Sequence, residues 1–150
     1  MPQKPSWLAT LIRVRDHHRD CALQVLAESL NVSKIANDAT QSTTKKISGL
    51  TRQHQENAGK SRINVAQLQE LRTTRDGLQA DLAMHQKSQK EADISVQKAQ
   101  KAASIRDSER EVLIRLSERY ELAHRVMAQR KEEQILSESV VTLCNRERST

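Results

Sequence analysis

The densest gathering of chemically capable side chains is the run Asp16-His17-His18-Arg19-Asp20-Cys21. On a helix, His17 and Cys21 are four positions apart, share a face, and could hold zinc with a third ligand. Arg19 stands close by, and no second ligand pair occurs elsewhere in the chain. These histidines are therefore read as solvated or seam side chains, and no metal site is expected. Other chemistry is also missing. Three scattered glycines cannot form a phosphate-cradling loop, and there is no nucleophile elbow, HExxH or CxxC. Cys21 and Cys144 do not make a disulfide framework and are expected to be reduced, small side chains on helices. No catalytic residue and no cofactor are expected, and the chain is not expected to be an enzyme.

Charge suggests a different use. The chain carries a net charge of +6, with acids and bases interspersed, which describes a solvated helical surface rather than a polybasic tail. Arg13, Arg15 and Arg19, helped by Lys4, form one basic patch with Asp16 and Asp20 beside it. Single-strand nucleic-acid binders interleave basic groups with aromatics, and here the aromatics are only Trp7 and Tyr120. A protein partner is expected, and nucleic acid is not. No apolar run approaches the roughly 20 residues of a membrane span. Met1 to Thr10 has no signal-peptide core, so a cytoplasmic location is expected.

The elements that must carry these residues can be read from composition. Without Phe, and with so few other aromatics, a compact globular core is hard to fill. Gly and Pro are scarce, and the remainder is rich in helix formers. The competing class for so polar a chain is disorder, and periodicity argues against it. The expected fold is all-α: a two-helix antiparallel coiled-coil hairpin, one elongated domain over residues 1–150, with the longer helix second. Helix one is predicted over about 6–57 with Ser6 as N-cap. Its apolar register is Leu8, Leu11, Ala22, Val25, Val32, Ala36, Ala39 and Leu50, interrupted by Arg15, His18, Ser29, Thr43 and Lys46. The turn is predicted at about 58–62, with Gly59 as a left-handed C-cap and Ser61 as the N-cap of the second helix.

Helix two is predicted over about 63–146, on the order of 120 Å at 1.5 Å per residue. Its register is Leu68, Leu71, Leu78, Leu82, His85, Ala92, Val96, Ala99, Ala103, Leu113, Leu116, Tyr120, Ala123 and Met127. Gly77 marks either a kink or a second turn. Folding at Gly59 sets Leu50 against Leu71, Thr43 against Leu78, Ala39 against Leu82, Val25 against Val96, Ala22 against Ala99 and Leu8 against Leu113. Beyond Leu113 helix two then has no partner, while Leu116, Tyr120, Ala123 and Met127, with Leu136, Val140 and Leu143, continue an apolar stripe. An uncovered apolar stripe marks an interface, with a second copy or with another protein.

Three segments carry a family resemblance over nearly the whole chain. The first is the opening Trp7-Leu8-Ala9-Thr10-Leu11-Ile12-Arg13-Val14-Arg15. The second is Ile63-Asn64-Val65-Ala66-Gln67-Leu68-Gln69-Glu70-Leu71. The third is Leu116-Ser117-Glu118-Arg119-Tyr120 followed by Arg130-Lys131-Glu132-Glu133-Gln134-Ile135-Leu136-Ser137-Glu138. With them the chain resembles the flagellar export stalk protein family (FliJ). Leu68 stands where the family often has Phe, and Ser137 departs from an Asp-Glu pair common there. The resemblance implies a cytoplasmic, non-enzymatic component of the flagellar type III export apparatus, peripheral at the inner face of the cell membrane. It implies as partners an export ATPase hexamer that receives the paired chain ends, an export gate protein reached by the hairpin tip, and export chaperones. A virulence injectisome stalk and a generic scaffold dimer are the alternatives. The expected partner-binding residues are Leu8, Leu11, Arg13, Arg15, Arg19, Leu116, Tyr120 and Met127 at the ends, with Leu68 and Leu71 at the tip.

Overall fold

The computed structural model describes residues 5–59 and 64–148. Two long helices packed against each other account for nearly all of them: α1, Ser6–Ala58, of 53 residues, and α2, Val65–Arg148, of 84. No strand occurs among the described residues. Both helices extend slightly beyond the predicted ends, and α2 starts two residues later than predicted. Ser6 is already helical, and the Pro5 carbonyl takes the Leu8 N–H at 3.0 Å. Arg146 and Arg148 in the last turn of α2 complement the negative end of its dipole.

The connection differs from expectation in its capping. Gly59 does not adopt a positive φ. Its N–H donates to the Gln55 carbonyl at 3.3 Å, so it prolongs the helical pattern instead of reversing it. Ser61, the predicted cap, lies outside the described residues. Asn64 caps α2 instead: its side-chain oxygen accepts the Ala66 N–H and its carbonyl accepts the Leu68 N–H, each at 3.1 Å. Gly77 is neither a second turn nor an end, because α2 runs helically through it and a Cβ there would meet nothing within 4 Å.

The chain divides into two compact units. One joins the described parts of Met1–Asp20 and Ile105–Thr150; the other is Cys21–Ser104. In the second unit Ser33 donates to Asp93 at 2.7 Å and Gln89 donates to Asn37 at 3.3 Å. A step of four up α1 thus meets a step of four down α2. The predicted register sets Ser33 opposite Ser88 and Asn37 opposite Met84, so the pairing is shifted towards the C-terminus of α2. The buried side chains of this unit are small: Ala36, Thr43, Ala92, Ala99 and Ala103. Small residues at a helix contact favour the short end of the roughly 8–10 Å range of interaxial distances.

The predicted face of α2 is largely the observed one. From Leu68 through Tyr120 every predicted position is buried or half-buried, whereas Ala123 and Met127 are exposed. The face of α1 departs from the predicted one at two positions. Leu8, Leu11, Ala22, Ala36, Ala39 and Leu50 turn inward, but Val25 and Val32 are 54% and 56% exposed. Leu26 and Ser33, one position on, are half-buried in their place. Taking the intermediate step as three gives Val25 and Val32; taking it as four gives Leu26 and Ile47. Hydrophobicity alone is evenly balanced between these, and polar pairing across the seam decides for the second set.

One stretch of α1 is built from poor helix formers. Thr40, Thr43, Thr44, Ser48 and Thr51 each donate a hydroxyl hydrogen bond to the carbonyl four residues back, at 2.8 to 3.0 Å. This lets Thr43 be buried without an unsatisfied hydroxyl.

Candidate protein-interaction surfaces

In the unit holding the start of α1, Arg15 and Arg19 of the basic patch are engaged within the chain, and Lys4 lies outside the described residues. Arg15 pairs with Glu109 at 2.7 Å, and Arg106 reaches the same carboxylate oxygen at 3.1 Å. Arg19 pairs with Asp107 at 2.9 Å, and Arg110 pairs with Asp16. The hydrogen bond from Arg110 to Asp16 raises the arginine pKa, and the charges of Asp16, Asp107 and Asp20 add to that. Each pair is partly exposed, so solvent screens it and its contribution to stability is small. Their larger effect is on register. A slip of one heptad brings Arg15 to Ala102 or Leu116, and Arg19 to Gln100 or Ile114, so no pair survives it. These charges specify which positions meet, as polar seam residues do in coiled coils. The predicted pairing sets Arg15 against Arg106, two like charges, a signal in the sequence that excludes it.

The predicted contact residues therefore separate. Leu8 is completely buried, so it serves the packing and offers no surface. Leu11, Leu116 and Tyr120 are half-buried, as are the ion-paired Arg15 and Arg19. Arg13 and Met127 remain exposed. The Asp16–Cys21 cluster gathers no metal site: no group of three or more His, Cys, Asp or Glu placed to hold an ion occurs among the described residues. Cys21 and Cys144 are exposed and not joined in a disulfide. No helix among the described residues is long and apolar enough to cross a membrane.

From Glu121 to Arg148 every residue of α2 is exposed. Large apolar side chains lie in this stretch at 58–65% exposure: Leu122, Ile135, Leu136, Val140, Val141 and Leu143. Leu122, Val126, Leu136, Val140 and Leu143 follow alternating heptad steps, with Gln129 and Glu133 completing the row. This row is not the predicted continuation of the seam. Leu122 is two positions past Tyr120, about 200° around the helix at 100° per residue, so it lies on nearly the opposite face from Leu113, Ser117 and Tyr120. Sequence reading named Leu136, Val140 and Leu143 of this row but missed Leu122 and Val126, because Ala123 and Met127 continue the older register acceptably.

At the other end of the helices, in the Cys21–Ser104 unit, a cleft of about 420 Å³ opens between α1 and α2. Leu68 and Leu71 line it with Leu50 and Val65, and so do His54, Arg72 and Arg75. It is the place where two predicted contact residues are brought together.

No family model, no curated protein and no solved structure matches the chain.

Proposed function

We propose that the chain is an antiparallel two-helix hairpin that works as a non-enzymatic stalk of the flagellar type III export apparatus, through an export ATPase ring. The observation that carries the reading is the exposed stretch Glu121–Arg148, a helix with a heptad row of large apolar residues and no intrachain cover. Such a row is unfavourable in water and favourable inside a partner. The resemblance of the opening and closing segments to the FliJ family supplies the identity of that partner. The descending order of residues met on α2 as α1 ascends supports the hairpin. In this reading the ring engages the extension and Arg13, while Arg15 and Arg19 hold the register of the stalk. The export gate and chaperones meet the tip, and the protein is cytoplasmic and peripheral at the membrane through these partners.

Binding of the full chain to the export ATPase of its own cell tests this. Leu136→Ser with Val140→Ser is expected to weaken binding at least about tenfold, because apolar anchors set most of an interface's affinity. Arg13→Ala is expected to change mainly the association rate and its salt dependence. Undiminished binding by the helical double variant overturns the reading. If instead the parent forms a dimer that the double variant loses, with no ATPase binding, the row is a homodimer seam and the chain a scaffold.

A further inference from the structure

The cleft near the connection lies at the tip that the proposed function gives to partners other than the ATPase, and it carries its own chemistry. Its walls come from both helices: Leu50 and His54 on α1, and Val65, Leu68 and Arg72 on α2. The α2 positions recur at intervals of three and four, so they form one face. From Val65 to Arg75 that face extends about 15 Å at 1.5 Å per residue, the length of about ten residues of a helix. At about 420 Å³ the cleft lies within the volume range of formed binding sites. Four aliphatic side chains line it, Leu50, Val65, Leu68 and Leu71, with Thr51 and Gln69. Among the described residues, every ionisable side chain lining it is basic or a histidine, and no Asp or Glu lines it. Within a chain whose acids and bases are otherwise interspersed, that one-sided lining is a local departure.

We propose that this cleft is a docking site for a short amphipathic helix of a partner protein, one with aliphatic residues on one face and carboxylates flanking them. Aliphatic side chains of the incoming helix fill the space between Leu50, Leu68 and Leu71, and its flanking acids meet Arg72 and Arg75. This is recognition of a helix in a groove, in which apolar anchors at helical spacing give affinity and the charged residues give orientation. A basic helix of the same shape is disfavoured by these arginines.

The test uses the full chain and a fluorescein-labelled synthetic peptide with Leu at helical positions one, four, five and eight and Glu elsewhere. The control peptide replaces every Glu with Lys. By fluorescence anisotropy at low salt, the acidic peptide is expected to bind at least about tenfold more tightly than the control. Arg72→Glu with Arg75→Glu is expected to remove that preference, and Leu68→Ser to weaken binding about tenfold. The charge-matched change Lys98→Glu with Lys101→Glu, away from the cleft, is expected to alter binding less than about twofold. Circular dichroism checks that each variant stays helical. Equal binding of the two peptides, or no effect of the arginine pair, overturns the proposal. So does an arginine-dependent sedimentation with phosphatidylglycerol vesicles without peptide binding, which makes the site a membrane contact. Arginine-dependent self-association without peptide binding likewise overturns it in favour of a second copy. None of these measurements involves the ATPase, so the two readings stand or fall separately.

Discussion

The stretch of α2 from Ala92 to Ala103 and the stretch from Glu121 to Arg148 invert the usual relation between size and burial. The first buries alanines at 7% exposure, while the second leaves six leucine, isoleucine and valine side chains at 58–65% and Val126 at 38%. Small side chains suffice where another helix lies close, because close approach brings backbone and Cβ atoms into dispersion contact. Large ones are worth having only where something else covers them. The apolar residues that stand out in this sequence are thus mostly not those that hold the two helices together. They mark what the molecule offers to others.

The comparison can be broken at several points. Leu8 is the one large side chain that is completely buried among the described residues, so Leu8→Ala is expected to cost about 2–5 kcal/mol of stability, measured by urea unfolding. In the small-residue seam, Ala99→Leu forces the helices apart and is expected to cost about 1–3 kcal/mol, seen as a lower midpoint. A neutral result there shows that the seam is loosely packed, and the contrast between the stretches fails. At Gly77, where an added Cβ meets nothing, Gly77→Ala is expected to raise stability by up to about 1 kcal/mol. The ion pairs come next: Glu109→Gln is expected to cost less than about 1 kcal/mol, a loss that shrinks further in high salt. Smallest of all is Leu136→Ala, expected to stay within about 0.5 kcal/mol of the parent as a monomer, although it removes more apolar surface than any change at Ala99.

How legible each helix was in the sequence depends on how many registers it allowed. On α2 the alanines at 92, 99 and 103 and the leucines at 68, 71, 78 and 82 admit one face, and that face is the observed one. On α1 the candidates Val25 and Val32 compete with Leu26 and Ile47 at equal hydrophobicity, and the choice rests on Arg19 with Asp107 and Arg15 with Glu109. Charge pairs across a seam are visible only once a register is assumed, so testing each register against them would have excluded the one that meets Arg15 with Arg106. Ser61 drew attention as the cap of α2, yet the Asn64 side chain does the capping. Asn was an equally good cap by type, and only the chain's path distinguishes the two. The cleft was half legible: Leu68 and Leu71 stood out as apolar positions, but its cationic lining needs α1 beside α2 to be recognised.

The hydroxyl bonds of α1 have a mechanical consequence. Along Ala36 to Thr51, five carbonyls accept a side-chain donor in addition to the main chain's. Two donors competing for one acceptor lengthen the main-chain bond and let the turn tilt outward. A hydroxyl already in place also supplies a substitute when that bond opens, which lowers the cost of opening. Helix α1 is therefore not uniformly stiff. It has a compliant stretch, and the amide protons of residues 40–52 exchange with solvent sooner than those of residues 92–103 of α2.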